Sequence, residues 1–136
     1  MHIATGTTLA FDAVDTYQKI IGTWTDGCAN RFTVDDVNDR IIYNGVRSMV
    51  ALMNGVSDIQ TDKACQITYA LYKNGTLVTG AETPHTFASA SKYATISITT
   101  LIEIAANDYF EVWAKCDDNT VTLTINSLKI LFFGER

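Results

Sequence analysis

The stretch YFEVWAKC, residues Tyr109–Cys116, decides the fold class because apolar and more polar side chains alternate along its whole length. The apolar set consists of Phe110, Val112, Ala114 and Cys116. Successive side chains of a β-strand point to opposite faces, so one face of this segment would be buried and the other would be more polar. The pattern predicts a half-buried β-strand.

Two other stretches show the same alternation. In Tyr93–Leu101, Ala94, Ile96 and Ile98 share one face, and Thr95, Ser97 and Thr99 share the other. Thr120–Phe133 alternates as far as Ile125 and resumes one residue out of phase at Leu128. One extra residue moves every later side chain to the opposite face of a strand, so we predict a β-bulge near residues 126–127.

Further short runs are rich in β-branched and aromatic residues, which favour strands. These runs are Tyr17–Trp24, Asn30–Val34, Arg40–Tyr43, Ala64–Lys73 and Leu77–Gly80. Short strands with a turn signal about every ten residues are typical of an all-β sandwich or barrel. The predicted core contains Leu71, Ile96, Ile98, Phe110, Val112, Leu123 and Ile125.

One segment, Arg47–Asn54, fits either a strand or a short helix that ends at Gly55. Its neighbours are all strands, so we predict a strand. Apolar residues then occupy both of its faces, and a strand that is apolar on both sides needs a second covering layer. We therefore predict that Met49 and Met53 contact a neighbouring subunit.

Composition restricts the class of protein. The chain has 136 residues, a formal net charge of −5 and a pI near 4.8, which predicts one acidic globular domain and disfavours nucleic-acid binding. No apolar stretch approaches the roughly 20 residues of a membrane span, and the start lacks the pattern of a secretory signal. We expect a protein that is made in the cytoplasm and has neither nucleic-acid nor membrane partners.

Residues that could carry catalysis or bind a metal are few. His2 and His85 lack a serine or cysteine partner in a recognised order, and we interpret His85 as a loop residue. The three cysteines, Cys28, Cys65 and Cys116, have no metal-ligand spacing, and we interpret them as packed thiols. We predict no catalytic residue, no cofactor and no metal ion.

Two alternatives concern the turns and the aromatic residues. The acidic turns at Asp35-Asp36 with Asp39 and at Asp117-Asp118 could bind Ca²⁺, although such residues more often stabilise the turn itself. An aromatic set could form a platform for a sugar, or it could pack in the core or at an interface. This set includes Trp24, Tyr43, Tyr72, Tyr93, Tyr109 and Trp113.

Three motifs occur in a fixed order, at Asp39–Gly45, Leu71–Thr76 and Asn107–Val112. Together they resemble the tumour-necrosis-factor-like jelly-roll domains of complement heads and of tailed-bacteriophage structural proteins. The resemblance covers roughly Ile20 to Phe133. This chain has Asn107 where the family usually has glycine, and asparagine tolerates a left-handed conformation. The resemblance implies a single-domain jelly-roll β-sandwich, and it implies no catalytic or metal-binding residue.

The function that the resemblance implies is that of a virion structural protein, and we predict a capsid decoration or cement protein that stabilises the head shell. Its partners would be the major capsid protein or another virion protein, and a second copy of itself in a dimer or trimer. The alternative is a receptor-binding or tail-fibre head domain that recognises a bacterial surface glycan. A metal-dependent jelly-roll enzyme is disfavoured because the chain has only two histidines.

The first fifteen residues are mostly polar, and we predict that residues 1–15 form an N-terminal arm beside a jelly-roll domain at 16–136. The arm would become ordered along a partner, with Ile3 and Leu9 as apolar anchors. The predicted interface consists of Ile3, Leu9, Met49, Met53 and Trp113. Methionine and tryptophan are enriched at interfaces, which supports the choice of the last three.

Overall fold

The computed structural model describes residues 2–3, 6–26, 31–90 and 93–134. Within these ranges the regular elements are strands: β1 His2–Ile3, β2 Thr7–Ala10, β3 Gln18–Lys19, β4 Trp24–Thr25, β5 Phe32–Asp35, β6 Arg40–Tyr43, β7 Met49–Thr61, β8 Cys65–Lys73, β9 Thr76–Phe87, β10 Tyr93–Ile104, β11 Tyr109–Cys116 and β12 Thr122–Gly134. No helix that is long and apolar enough to cross a membrane occurs in the part of the chain that the structure describes.

The strands form two sheets, and their pairings are antiparallel. The first sheet has the order β10-β7-β12-β1-β4, and β2 pairs with another part of β12. The second sheet has the order β5-β6-β11-β8-β9, and β3 pairs with β11. The chain crosses from one sheet to the other between β7 and β8, between β9 and β10, between β10 and β11, and between β11 and β12. This arrangement is a jelly-roll β-sandwich in a single domain, as the sequence predicts.

The core lies between the two sheets, where the inward residues of the alternating strands meet. All seven predicted core residues are buried: Leu71, Ile96, Ile98, Phe110, Val112, Leu123 and Ile125. Aromatic rings fill one end of the core. The ring of Phe132 stacks on Phe32 at 4.8 Å between centroids and lies 4.9 Å from Phe110. Such aromatic contacts contribute in addition to the burial of apolar surface.

The predicted β-bulge is confirmed in β12. The register between β12 and β7 shifts between Ile125 and Ser127. Because of the extra residue, Leu123 and Ile125 before the bulge and Leu128 after it all face the core.

Within the segment Arg47–Asn54, the residues from Met49 onward lie in a strand, β7, which confirms the predicted secondary structure for that part, and Arg47 and Ser48 precede the strand. The orientation of β7 places both methionines on its inner face, whereas the prediction placed them against a neighbouring subunit. Met53 points into the core and has no exposed surface, whereas Val50 and Leu52 are exposed on the outer face. The two faces are both apolar, so the alternation alone did not distinguish the inner from the outer one.

Two short strands within residues 1–15, which the prediction assigned to an N-terminal arm, pair with strands of the sandwich. β1 pairs with β12 and β4, and β2 pairs with β12 in the register Leu9 to Leu123. Leu9 is buried in the chain's own core. β1 and β2 are therefore paired within this chain.

Two turns have residues with positive φ. The β8–β9 hairpin turns at Asn74 and Gly75, with φ of 51° and 81°, as a two-residue turn with positive φ at both positions requires. Asn107 has a φ of 70°, so asparagine takes the left-handed conformation at the position where the family that this chain resembles usually has glycine.

The three motifs that carried the family resemblance meet at one corner of the fold. The Tyr43 amide donates to the Asp108 carbonyl at 2.8 Å, and the Asn107 amide donates to the Tyr43 carbonyl at 3.0 Å. The Asn74 amide donates to the Tyr109 carbonyl at 2.9 Å, and the Tyr109 amide donates to the Asn74 side-chain oxygen at 3.0 Å. These motifs therefore serve to join three turns.

Candidate functional site

The outer face of the second sheet carries a group of aromatic side chains around Trp113. The alternation of β11 buries Val112 and Ala114 and places Trp113 on the opposite face. Trp113 pairs with Lys19 of β3 on one side and with Ala70 of β8 on the other. Ala70 is small and has no exposed surface, although the alternation places it on this outer face. Large neighbouring side chains therefore cover it.

Three half-buried rings form what we call the aromatic platform: Tyr17, Tyr72 and Trp113. Tyr72 and Trp113 are stacked, with 4.4 Å between ring centroids and an interplanar angle of 14°. Tyr17 meets Tyr72 edge to face, at 5.9 Å and 70°. Stacked and edge-to-face arrangements are the favoured geometries for aromatic pairs. The rings therefore support one another in fixed orientations.

Charged side chains border the aromatic platform at two sides. Glu111 accepts a hydrogen bond from the Trp113 indole nitrogen at 3.2 Å, and it forms an ion pair with Lys19 at 3.1 Å. On the other side the Tyr17 hydroxyl donates to Glu82, and the Lys115 ammonium lies 4.9 Å from the centre of the Tyr17 ring. The rings thus lie between two carboxylates, each of which is held by a ring of the platform.

The tyrosine hydroxyls of the platform remain protonated. Burial, together with the hydrogen bond to Glu82, raises the pKa of Tyr17 above its ordinary value. Burial and the nearby Glu82 charge also raise the pKa of Tyr72. Both hydroxyls therefore remain neutral hydrogen-bonding groups through the physiological range of pH.

A separate cavity of about 440 Å³ lies beside the loop after β6. Its lining includes two basic residues, Arg31 and Arg47, together with Asn44 and Ser48. Tyr43 forms part of the wall, and its hydroxyl donates to the Arg47 carbonyl at 2.8 Å.

The carboxylates considered for Ca²⁺ accept hydrogen bonds from nearby groups of the chain. Asp39 accepts from the Gly22 amide and from the Trp24 indole, each at 2.9 Å. Asp118 accepts from the amide and the hydroxyl of Thr120. Within the described ranges, no group of three or more His, Cys, Asp or Glu side chains is arranged to hold a metal ion. These acids stabilise turns and loops.

The histidine and cysteine predictions have different outcomes. His85 lies within β9 and its ring is 4.8 Å from Phe87, which corrects its interpretation as a loop residue. The strand continues through Pro84 because β9 is an edge strand, where proline is tolerated. Cys65 and Cys116 are buried free thiols, as predicted, and Cys28 lies outside the described residues.

The structure does not bring the predicted interface residues together on one exposed surface. Leu9 and Met53 are buried, and Met49 is half-buried against the core. Trp113 belongs to the aromatic platform, and the Ile3 side chain lies outside what the structure describes. Whether any of them contacts a partner stays a prediction.

The sequence identified part of the platform and missed the rest. Tyr72 and Trp113 belong to the aromatic set that was considered for sugar binding. No sequence pattern identified Tyr17 or Glu82 as part of the platform, because the pairing of distant strands brings them to it. A detectable signal existed for Glu111, which is a charged residue between two core positions of a strongly alternating strand.

Comparison with known proteins finds no matching family model and no matching curated protein. Similar solved structures include a carbohydrate-binding module, CBM36, in complex with calcium and xylotriose. It is 14% identical, with 92% of this chain and 99% of that chain covered at a TM-score of 0.41. Another is a CBM35 from Cellvibrio japonicus, which is 13% identical, with 100% of this chain and 98% of that chain covered at a TM-score of 0.40.

A third similar structure is a CBM35 in complex with a glucuronic-acid-containing disaccharide. It is 10% identical, with 95% of this chain and 97% of that chain covered at a TM-score of 0.40. These comparisons correct the predicted function of a capsid decoration protein, since the structures named here are carbohydrate-binding modules and not virion proteins. At such identities the ligands of those modules are not transferred to this chain.

Proposed function

We propose that this protein is a non-catalytic glycan-binding module whose aromatic platform is the binding site. The observation that carries the proposal is the stacked pair Tyr72 and Trp113, which lies on an outer sheet face between Glu82 and Glu111. A sugar ring has an apolar face of C–H groups and a rim of hydroxyls. Aromatic rings bordered by fixed polar groups complement both features.

The platform is organised before any ligand binds. Trp113 is held by stacking on Tyr72 and by its hydrogen bond to Glu111, and Glu111 is held in turn by Lys19. Tyrosine and tryptophan have few rotatable bonds, so they lose little conformational entropy on binding. Contact groups that are already rigid reduce the entropy lost on association, which favours the binding of a ligand that makes only weak contacts.

The polar border supplies hydrogen-bonding groups of both kinds. Glu82 and Glu111 have carboxylate oxygens that accept hydrogen bonds from sugar hydroxyls, and Lys115 has an ammonium group that donates them. Both carboxylates are engaged as acceptors by groups of the chain, which suits recognition better than proton transfer. If the resemblance to bacteriophage structural domains holds, the expected ligand is a glycan of a bacterial surface.

The test is glycan binding by the wild type and by Trp113→Ala. We expect the wild type to be retained in affinity electrophoresis or to bind on an array of neutral and acidic polysaccharides. Loss of the indole face should weaken binding at least tenfold, which corresponds to about 1.4 kcal/mol. Tyr72→Ala should weaken it as well, because the stacked pair is broken.

Tyr93→Ala is the matched control, because Tyr93 is an exposed aromatic residue on the first sheet. It should bind as the wild type does, and thermal unfolding should show that all variants are folded. Arg47→Ala tests the basic cavity as the alternative site. If Arg47→Ala abolishes binding and Trp113→Ala preserves it, the platform is not the site. If the wild type binds no glycan on the array, the proposed function is wrong.

A further inference from the structure

The outer face of the first sheet is divided into an apolar half and a polar half. The outward residues of β7 read Val50, Leu52, Asn54 and Val56, and then Asp58 and Gln60. Exposed apolar side chains of three adjacent strands surround the first four positions. We call this set the apolar patch: Val50, Leu52, Val56, Leu101, Leu131 and Phe133.

The register of the strands makes the apolar patch continuous. Leu52 pairs with Leu101 of β10 on one side and with Phe133 of β12 on the other, so three apolar side chains form one row across the sheet. Leu101 is 70% exposed and Phe133 is 58% exposed. Soluble monomers seldom expose a contiguous surface of this kind, and its presence usually marks an interaction site.

Two polar groups within the apolar patch are paired with each other. The side-chain oxygen of Asn54 accepts a hydrogen bond from the Thr99 hydroxyl at 3.1 Å, and these two residues face each other in the register. A covering surface would leave this pair satisfied when it excludes water, and the Asn54 amide nitrogen would need an acceptor in that surface.

The charges at the corners of the apolar patch indicate what covers it. Glu103 lies at one end, on β10 beside Val50, and Lys129 lies at the diagonally opposite end, on β12 beside Val56. Among the described residues, neither of these two side chains has an ion-pair partner. One acid and one base at opposite corners make the surface complementary to itself.

We propose that a second copy of this chain docks face to face on the apolar patch. The two-fold axis lies between the facing surfaces of the two copies, parallel to them and perpendicular to the line from Glu103 to Lys129. It places each Glu103 opposite Lys129 of the other copy. Such an interface is isologous and closes at two subunits. It buries the row of Leu52, Leu101 and Phe133 at its centre and leaves the charged pairs at its rim, as protein interfaces generally do.

The dimensions of the patch are those of an interface centre. Six residues separate the Glu103 row from the row of Lys129, which is about 20 Å at the rise of an antiparallel strand. The outer strands are about 10 Å apart. These spacings enclose about 200 Å², which is less than the roughly 800 Å² per partner of a standard interface. The polar rim therefore has to be buried as well, and we expect a weak dimer with a dissociation constant in the micromolar range.

Sedimentation equilibrium of the full chain, at concentrations on the order of 1 to 100 µM, tests the proposal. We expect a concentration-dependent dimer for the wild type, and a dissociation constant that rises at least tenfold for Leu101→Lys. Gln60→Lys is the matched control, because it adds the same charge to the polar half of the same face. It should dimerise as the wild type does.

A charge exchange tests the two-fold arrangement. Glu103→Lys and Lys129→Glu should each weaken the dimer, and the double variant should restore it, because both pairs are then reversed. Trp113→Ala lies on the other sheet and should leave the dimer intact, so a failure of glycan binding is distinguishable from a failure of dimerisation. A wild type that remains monomeric, a Leu101→Lys dimer as tight as the wild type, or a double variant without restored affinity overturns the proposal.

Discussion

Burial controls the chemistry of two described cysteines at the scale of single residues. Burial raises the pKa of the Cys65 thiol above its ordinary value, and it raises the pKa of Cys116 to about 12. The thiolate is the reactive form of cysteine, so these side chains are almost entirely in the unreactive form near neutral pH. They act as small apolar groups that fill the core.

The corresponding prediction concerns thiol labelling in a Cys28→Ser background, which leaves the two buried thiols. At pH 8 we expect the native chain to react with a thiol reagent at least about 100-fold more slowly than the chain in denaturant, because both access and thiolate formation are suppressed. The rate is measured by mass spectrometry over time. Complete labelling of the native chain at the denatured rate would contradict this account.

At the scale of elements, the turns after β8 and β10 are joined by Asp108. Burial alone would raise the pKa of this carboxyl, but hydrogen bonds from Asn74, the Ala105 amide and Lys73 outweigh it and lower the pKa. The Asn74 side chain and the Ala105 amide each donate at 2.8 Å, and the Lys73 ammonium lies at 3.3 Å. The ionised form of Asp108 therefore stabilises the folded state.

Asp108→Asn should lower the free energy of unfolding by about 1–3 kcal/mol at pH 7, because it removes a charged acceptor from a partly buried network. A carboxyl with a lowered folded pKa contributes its stability above the unfolded pKa, near 4, and loses it as the pH falls through the folded value. The difference between the wild type and Asp108→Asn should therefore shrink below about pH 4.

Urea unfolding at pH 7 and pH 3, followed by tryptophan fluorescence, measures this difference. Asp12→Asn is the control, since Asp12 is exposed, and it should change the stability by less than about 0.5 kcal/mol at either pH. Equal stability of the wild type and Asp108→Asn at pH 7 would show that the network is not held by the charge.

At the scale of the whole molecule, the two proposals together describe a bivalent protein. The apolar patch is on the first sheet and the aromatic platform is on the second, so a face-to-face dimer carries its two platforms on opposite outer surfaces. Two linked sites can bind two glycan chains at once, and the second attachment benefits from a high effective concentration on a multivalent surface.

We expect the wild type to aggregate beads coated with a polysaccharide that it binds, as measured by turbidity. Leu101→Lys should bind the same beads without aggregating them, because it retains the platform and loses the dimer. Gln60→Lys should aggregate them as the wild type does. Aggregation by Leu101→Lys equal to that of the wild type would exclude the dimer as the source of bivalence.

The sequence by itself determined most of the long strands, most of the core and the bulge, because these follow from local rules. Side chains alternate along a strand, so Tyr109–Cys116 identifies its own buried face, and the change of phase after Ile125 identifies an extra residue. The turn at Asn74-Gly75 is equally local, since its backbone needs two positive φ angles. These features require no knowledge of the remainder of the chain.

Only the tertiary structure decided which apolar face of β7 is inside, and what the first residues pair with. Met53 and Leu52 are both apolar, and packing against the second sheet distinguishes them. The aromatic platform likewise depends on the pairing of β3 with β11, which joins residues about 90 positions apart. The family resemblance rested on turn motifs that stabilise one corner of the fold. Turn chemistry determines how strands connect and not what their faces bind, so the function had to be argued from the assembled surface.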